Sequence, residues 1–417
     1  MTYREIFDDI VDIMKNDSAT CLDIAGTDPA PFRERIADDM SRLDFYLLVK
    51  EYLYSFGLTG HLDFYAAQKD EEIKYNPFSV KRYNDCLYIT YARKESGCEK
   101  GDIILELDGM TISEVSEKYH FMLTERNPDR QTFEWTVLMN MLVKKIKILH
   151  SSTQKTEIMD YTQFSTPDES DENAEFYFKK LSDDTTLIRL PHFLEKEPND
   201  AVFEEFKKFR KKCRYLIFDV RGNRGGNDSF FFGYLPYCFP RGIHKYPAEN
   251  FHMQKFYSER NCRQFTELIN KSKYPDDVKK SLIDELVKKS GTGWSEHSKK
   301  NYFTEAGKKG PKKIFILTDE KCGSSGDSFV HWMSISPKVT VIGRPTRGIN
   351  DYSNICTVYY EDFSFVYPMS RQEHIDKGIR FMGKGHPVDI FVPWTPENLE
   401  RDIELEKALE IINKAKR

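Results

Sequence analysis

Two short turns in this chain bring together residue types that could do chemistry. The first is Thr318-Asp-Glu-Lys-Cys-Gly-Ser-Ser-Gly-Asp-Ser-Phe329, preceded by the β-branched run Lys313-Ile-Phe-Ile-Leu317 and followed by the apolar, helix-like run Ser328-Phe-Val-His-Trp-Met333. A small-residue turn between a buried strand and a helix sets a hydroxyl at the helix N-terminus. Unpaired backbone N–H groups and the positive end of the helix dipole favour developing negative charge there. That is a seat for a nucleophilic serine. The second turn, Asp219-Val-Arg-Gly-Asn-Arg-Gly-Gly-Asn227, follows a strand predicted over 215–219. Its glycines let the backbone approach a ligand closely and turn N–H groups outward. It lacks the G-x-x-x-x-G-K-S/T spacing of a nucleotide loop and is only loosely similar to G-x-G-x-x-G. Taken alone, it reads as a tight turn.

The elements around these turns alternate. Strands are predicted over 186–190, 215–219, 314–317 and 339–342, with helices over about 198–212 and 325–335 between them. That order argues for a layered α/β domain over 174–417. A lysine-rich helical segment containing Asp276-Asp-Val-Lys-Lys-Ser-Leu-Ile-Asp-Glu-Leu-Val-Lys-Lys289 interrupts it, and reads as an insertion or cap over 250–310. Residues 1–70 read as a helical domain. Ile6, Ile10, Val11 and Met14 form one stripe, and further helices are expected over 30–40 and 45–54. Between them, residues 72–165 form a β-rich module with strands at 86–91, 102–107 and 144–149, and Asp108-Gly109 as a hairpin or strand-exit turn. The acidic stretch 165–173 is the linker candidate.

Composition narrows the partners. With 62 basic against 67 acidic residues and a net charge of −5, no global excess argues for nucleic acid or an anionic membrane. No apolar run approaches the roughly 20 residues that span a bilayer. The N-terminal helix lacks the basic start and unbroken apolar core of a secretion signal, so a cytoplasmic location is expected, although a removed leader would leave the same sequence. The eight cysteines contain no C-x-x-C pair and indicate neither a zinc site nor a disulfide framework. Cys322 reads as a small buried residue rather than a reactive thiol.

Taken together, LIFDVRGNRGG and, about a hundred residues later, IFILTDEKCGSSGDSF resemble the paired signature of the tail-specific (C-terminal-processing) serine peptidases, in the branch that includes tricorn core. Lys100-Gly-Asp-Ile-Ile-Leu-Glu-Leu-Asp-Gly109 resembles the end of that family's PDZ-like repeat. The resemblance implies a helical segment, a PDZ-like module and an α/β domain of ClpP/crotonase type. It implies Ser324, three places before Asp327, as nucleophile, with oxyanion donors at the backbone of Gly226 and the N–H of Ser325, Gly225 shaping the turn. Ser325 and Ser328 would be structural.

The family's two branches differ in the base. The lysine of the processing branch falls at Ile349 here, which removes that dyad. The tricorn-like branch takes a histidine from the N-terminal region, and Leu58-Thr-Gly-His-Leu-Asp-Phe64 resembles that turn, which implies His61. His331, seven residues after Ser324 on the same helix, lies roughly 10 Å further along the axis and is out of reach. His192 and His386 are reserves. The branch's glutamate falls at Phe381 or Met382, and Gly60 stands where the family has a polar residue. Glu373, Asp376 and Asp389 are the nearby acids, and a backbone carbonyl is another means of orienting the imidazole.

The leading expectation is thus a serine endopeptidase acting on peptides or unfolded proteins, with no metal or cofactor and an oligomeric state left open. The PDZ-like module would gate access or bind substrate as an added strand. The alternative is a catalytically impaired family member that binds peptides or ligands. An acyl-CoA enzyme of crotonase type shares the architecture but leaves the serine unexplained.

Overall fold

Strands buried along their whole length are those covered on both faces, and Tyr215–Asp219 and, after its exposed first residue, Lys313–Thr318 have this character. They lie at the centre of a six-stranded sheet in the order Ile390–Phe391, Val339–Gly343, Lys313–Thr318, Tyr215–Asp219, Thr185–Arg189 and Tyr177–Lys180. The first five strands are parallel and the last is an antiparallel edge. Leu216, Phe218, Ile314 and Ile316 face one side, against Phe206 of the helix Lys196–Phe209 and Phe329, Val330 and Met333 of the helix Ser325–Ser334. Tyr215, Ile217, Phe315 and Leu317 face the other, against Ala408 and Ile412 of the helix Ile403–Lys416. This is the layered α/β arrangement expected from the alternation: the four predicted strands and two predicted helices lie within a few residues of their expected places, while Tyr177–Lys180, Ile390–Phe391 and Ile403–Lys416 were not predicted. The Phe-rich run 230–239 forms two 3₁₀ turns and a short helix, and Phe231, Tyr234 and Phe239 are fully buried in the same core.

The computed structural model describes residues 1–66, 75–165, 175–247, 252–272, 274–298 and 302–416; apart from Ser165, the linker expected over 165–173 lies outside them. The chain groups into two compact units. The larger comprises Lys74–Pro247, Tyr302–Asn350 and Phe381–Arg417. Within it, residues 75–165 form an antiparallel sheet ordered Phe78–Tyr83, Cys86–Ala92, Ile103–Leu107, Lys145–Leu149 and Thr156–Asp160. Asp108-Gly109 turns the chain from Ile103–Leu107 into Met110–Thr111, its antiparallel partner. Buried charges tie this sheet to the α/β layers. Lys81 reaches Glu320 at 2.5 Å, Glu320 accepts from Arg344 at 2.6 Å, and Arg344 also donates to Glu404. Arg221 continues the chain of charges to Glu404, Asp402 and Asp219. Burial works against the Glu320 charge, but Arg344 and Lys81 outweigh it and hold the carboxyl well below the usual range.

The smaller unit comprises Met1–Ile73, Ala248–Asn301 and Asp351–Arg380. Its sheet pairs Phe363–Gln372 with Asp63–Ala66, Met253–Tyr257 and Tyr352–Tyr359. The helix Tyr3–Asn16 opens on a capping box from Thr2 and Glu5 and buries Ile6, Phe7, Ile10, Ile13 and Met14, while Val11 stays partly exposed. The helix expected over 30–40 is only Ala30–Glu34. Ile36 is the one fully buried side chain of that stretch, so little tertiary packing supports a longer helix. The helices Glu259–Lys271 and Asp276–Lys289 lie within the stretch read as an insertion.

Candidate active site

Ser324 sits between the strand Lys313–Thr318 and the helix Ser325–Ser334 with φ 56° and ψ −121°. For a residue with a Cβ that backbone costs on the order of 1–3 kcal/mol and persists only where the surroundings over-determine it. The over-determination is visible. Asp327, fully buried, accepts from the N–H of Ser324 at 2.9 Å, of Gly348 at 2.7 Å and of Ile349 at 3.0 Å. Asn350 donates its Nδ2 to the Ser324 carbonyl at 2.6 Å and to Ser328 Oγ at 2.8 Å. Burial pushes the Asp327 carboxyl up to about 6, against the lowering effect of Thr346 and the three backbone donors. Below the turn, Phe329 packs edge-on against Phe218 and Phe231 with centroids 5.2 and 5.4 Å away, which fixes the helix to the core.

The glycine turn after Tyr215–Asp219 meets the serine turn directly. A Cβ on Gly225 would lie 2.6 Å from Ser324 Cβ and 2.7 Å from the Ser325 nitrogen, so only glycine allows this approach. Gly226, at φ 138°, is pressed against the carbonyl of Phe193. Asn223 joins the two turns: its carbonyl accepts from Gly323 N–H at 2.8 Å, its Oδ1 accepts from Gly225 N–H at 2.8 Å, and its Nδ2 donates to the Leu190 carbonyl at 2.9 Å. Ser325 Oγ donates to the Gly226 carbonyl at 2.8 Å. Among the described residues, neither the Gly226 N–H nor the Ser325 N–H donates to a protein acceptor. Two neighbouring donors beside a half-buried hydroxyl suit an oxyanion. Cys322 is fully buried and burial pushes its thiol up, as do the Asp327 and Asp319 charges, which leaves it a small buried residue rather than a reactive one.

Behind the turn, the segment 344–350 is held from the β-rich module. Arg130 donates to the carbonyls of Pro345, Thr346, Arg347 and Lys384 and pairs with Glu125 at 3.1 Å. Arg347 pairs with Glu134 at 2.8 Å, and its guanidinium lies 4.0 Å from the centroid of the Phe133 ring. Ile349 lies with its side chain against Gly323.

His61 belongs to the smaller unit, where it too has a positive φ, 58°. Its Nδ1 lies 2.6 Å from the carbonyl oxygen of Tyr352. A carbonyl can only accept, so Nδ1 carries the proton of this hydrogen bond. Of the acids weighed for orienting it, Glu373 accepts from the Ser298 N–H, Asp376 is bound by Arg371, and Asp389 accepts from the Val341 N–H. Among the other histidines, His192 Nδ1 accepts from the Leu194 N–H, and His386 is buried with its Nδ1 3.1 Å from that of His331 and its ring stacked on Phe381. Asn223, Thr346, Asn350 and Tyr352 had not been singled out from the sequence. Only Asn223, inside the glycine turn, carried a local signal. No described group of three or more His, Cys, Asp or Glu residues is placed to hold a metal.

No curated protein matches this chain in sequence. Among solved structures, mature CPAF complexed with lactacystin aligns over 100% of this chain and 97% of its own, with a TM-score of 0.64 at 13% identity. A crystal structure of mature CPAF aligns over 98% and 96%, with a TM-score of 0.65 at 12% identity. The photosystem II D1 C-terminal processing protease aligns over 97% and 98% at 11% identity, with a TM-score of 0.47. The first two likenesses show the shared fold. The model of peptidase family S41 matches residues 184–390, which hold both turns. Both turns lie within that match, and this chain is a serine peptidase of family S41, of the tail-specific kind.

Proposed function

We propose that the chain is an endopeptidase that hydrolyses peptide bonds through an acyl-enzyme on Ser324, with His61 as the base. The observation that carries this reading is the Ser324 turn itself, with a positive φ, a fully buried Asp327 pinning it, and the N–H groups of Gly226 and Ser325 without protein acceptors beside it. Ser324 Oγ attacks the scissile carbonyl and its proton passes to His61 Nε2. The carbonyl oxygen, now negative, is held by the two N–H groups, and the proton then goes to the leaving amine. Water repeats the sequence to release the acyl group. Each preorganised donor contributes about 3 kcal/mol by the usual effect of removing one. The substrates are peptides or unfolded protein segments. The antiparallel sheet over 75–165 acts as a PDZ-like module that receives an extended segment as an added strand.

Fluorophosphonate labelling tests the reading. The wild type should take label, Ser324→Ala none, and His61→Ala should lose all but a trace; lactacystin, seen bound to CPAF, serves as a competing probe. A wild type that resists label while a control peptidase reacts would overturn it in favour of a peptide-binding role. Labelling that survives His61→Ala would move the base to His192 or His386.

A further inference from the structure

Buried carboxylates in the larger unit are met by partners. Glu320 is held by Lys81 and Arg344, Glu134 by Arg347, and Asp327 by three backbone N–H groups. Asp228, which directly follows the glycine turn, departs from that pattern. It is half-buried, and among the described residues no lysine, arginine or histidine forms an ion pair with it. Burial pushes its carboxyl up, and the groups that work against this are the hydroxyls of Ser325 and Ser328, on the helix that begins after Ser324. Neither brings a charge. Ser325 Oγ donates to the Gly226 carbonyl at 2.8 Å and Ser328 Oγ accepts from Asn350 Nδ2 at 2.8 Å, so both are already tied to the two turns. A carboxylate thus stands beside the serine turn without a counter-charge.

Its position says what would supply one. The Gly226 N–H is one of the two donors beside Ser324, and a carbonyl oxygen seated on it belongs to the substrate residue on the acyl side of the cleaved bond. Two residues of chain span at most about 7 Å, so Asp228 lies within reach of a long side chain on that substrate residue. The chain that carries Asp228 is fixed, since the Asn227 N–H donates to the Phe193 carbonyl at 2.8 Å and the Phe230 N–H to the Asn227 carbonyl at 3.1 Å. We infer that Asp228 is a specificity-determining residue, whose carboxylate receives the arginine or lysine side chain of the substrate residue that is transferred to Ser324. The inference rests on Ser324 being the nucleophile. A guanidinium suits the place best, because its planar fork offers several donors to one carboxylate. A neutral side chain there would leave the carboxylate unpaired, and an acidic one would oppose it.

Peptidyl phosphonates that differ only in the side chain nearest the phosphorus, which ends in a guanidinium, an isobutyl group or a carboxylate, test this on the full chain. In the wild type the guanidinium probe should react faster than the isobutyl probe by roughly tenfold or more, the weight of a hydrogen bond between charged groups, and the carboxylate probe should be slowest. Asp228→Asn should abolish the difference between the first two, and Asp228→Lys should turn the preference toward the carboxylate probe. Rates are compared between probes within each protein, so a general loss of reactivity does not mimic the result. Equal rates for the guanidinium and isobutyl probes in the wild type overturn the inference whether or not the variants fold, as does a preference that survives Asp228→Asn. Uptake of a plain fluorophosphonate answers separately for Ser324. A wild type that takes the plain probe but shows no preference removes this inference alone, and one that takes no probe removes the peptidase reading with it.

Discussion

Gly225 shows how little room the serine turn leaves. Its φ of 97° disfavours any side chain, and the space a Cβ would need is already filled by Ser324 and Ser325. Gly225→Ala should destabilise the fold by roughly 2–4 kcal/mol and abolish labelling, read together by urea denaturation and probe uptake. Asp327 carries a second expectation at this scale. Its folded value of about 6 stands above its ordinary 3.8, so the folded chain holds that proton more tightly. Its contribution to stability is then complete below pH 4 and lost as the pH rises through 6, a change of about 3 kcal/mol. Denaturation midpoints measured from pH 4 to 7.5 should fall more steeply in the wild type than in Asp327→Asn; equal slopes would refute the assignment. The serine and glycine turns were legible because small residues between a buried strand and a helix are a local signal. Asn350 and Tyr352 were not, because they act only through partners that the fold brings to them.

Among the elements, the segment 344–350 is gripped from two sides, by Asp327 at its N–H groups and by Arg130 at its carbonyls. Arg130→Ala should leave those carbonyls without their donor and lower kcat by at least tenfold with little change in KM, since one charged hydrogen bond alone is worth about 1.5–3 kcal/mol. Arg130→Lys should restore little of it, because one ammonium cannot reproduce a planar fork of five donors. Steady-state kinetics on a peptide substrate separate these outcomes; a pure KM effect would assign Arg130 to substrate binding instead. The strands of the parallel sheet were readable from their β-branched runs. The strand Asp63–Ala66 carries no comparable run, and its partner Phe363–Gln372 lies some three hundred residues on. Pairing across such a distance leaves no trace in local periodicity.

At the scale of the molecule, the smaller unit is assembled from three separate stretches of chain. Phe45 and Phe64, from its first stretch, pack on Phe363 from its last, with centroids 5.4 and 4.8 Å away. Deleting residues 1–66 should therefore uncover Phe363 and one edge of its strand. We expect the shortened chain to bind a hydrophobic dye and enter the insoluble fraction, and a soluble, dye-silent product would contradict this. The larger unit, likewise drawn from three stretches of chain, makes the serine turn depend on distant groups. Its backbone is held by groups spread from Arg130 and Asn223 to Asp327 and Asn350, and a positive φ at Ser324 has no local support. During synthesis the residue emerges well before Gly348, Ile349 and Asn350, so an incomplete or truncated chain carries an ordinary serine in a relaxed loop. Completion of the fold is what gives the residue its strained backbone.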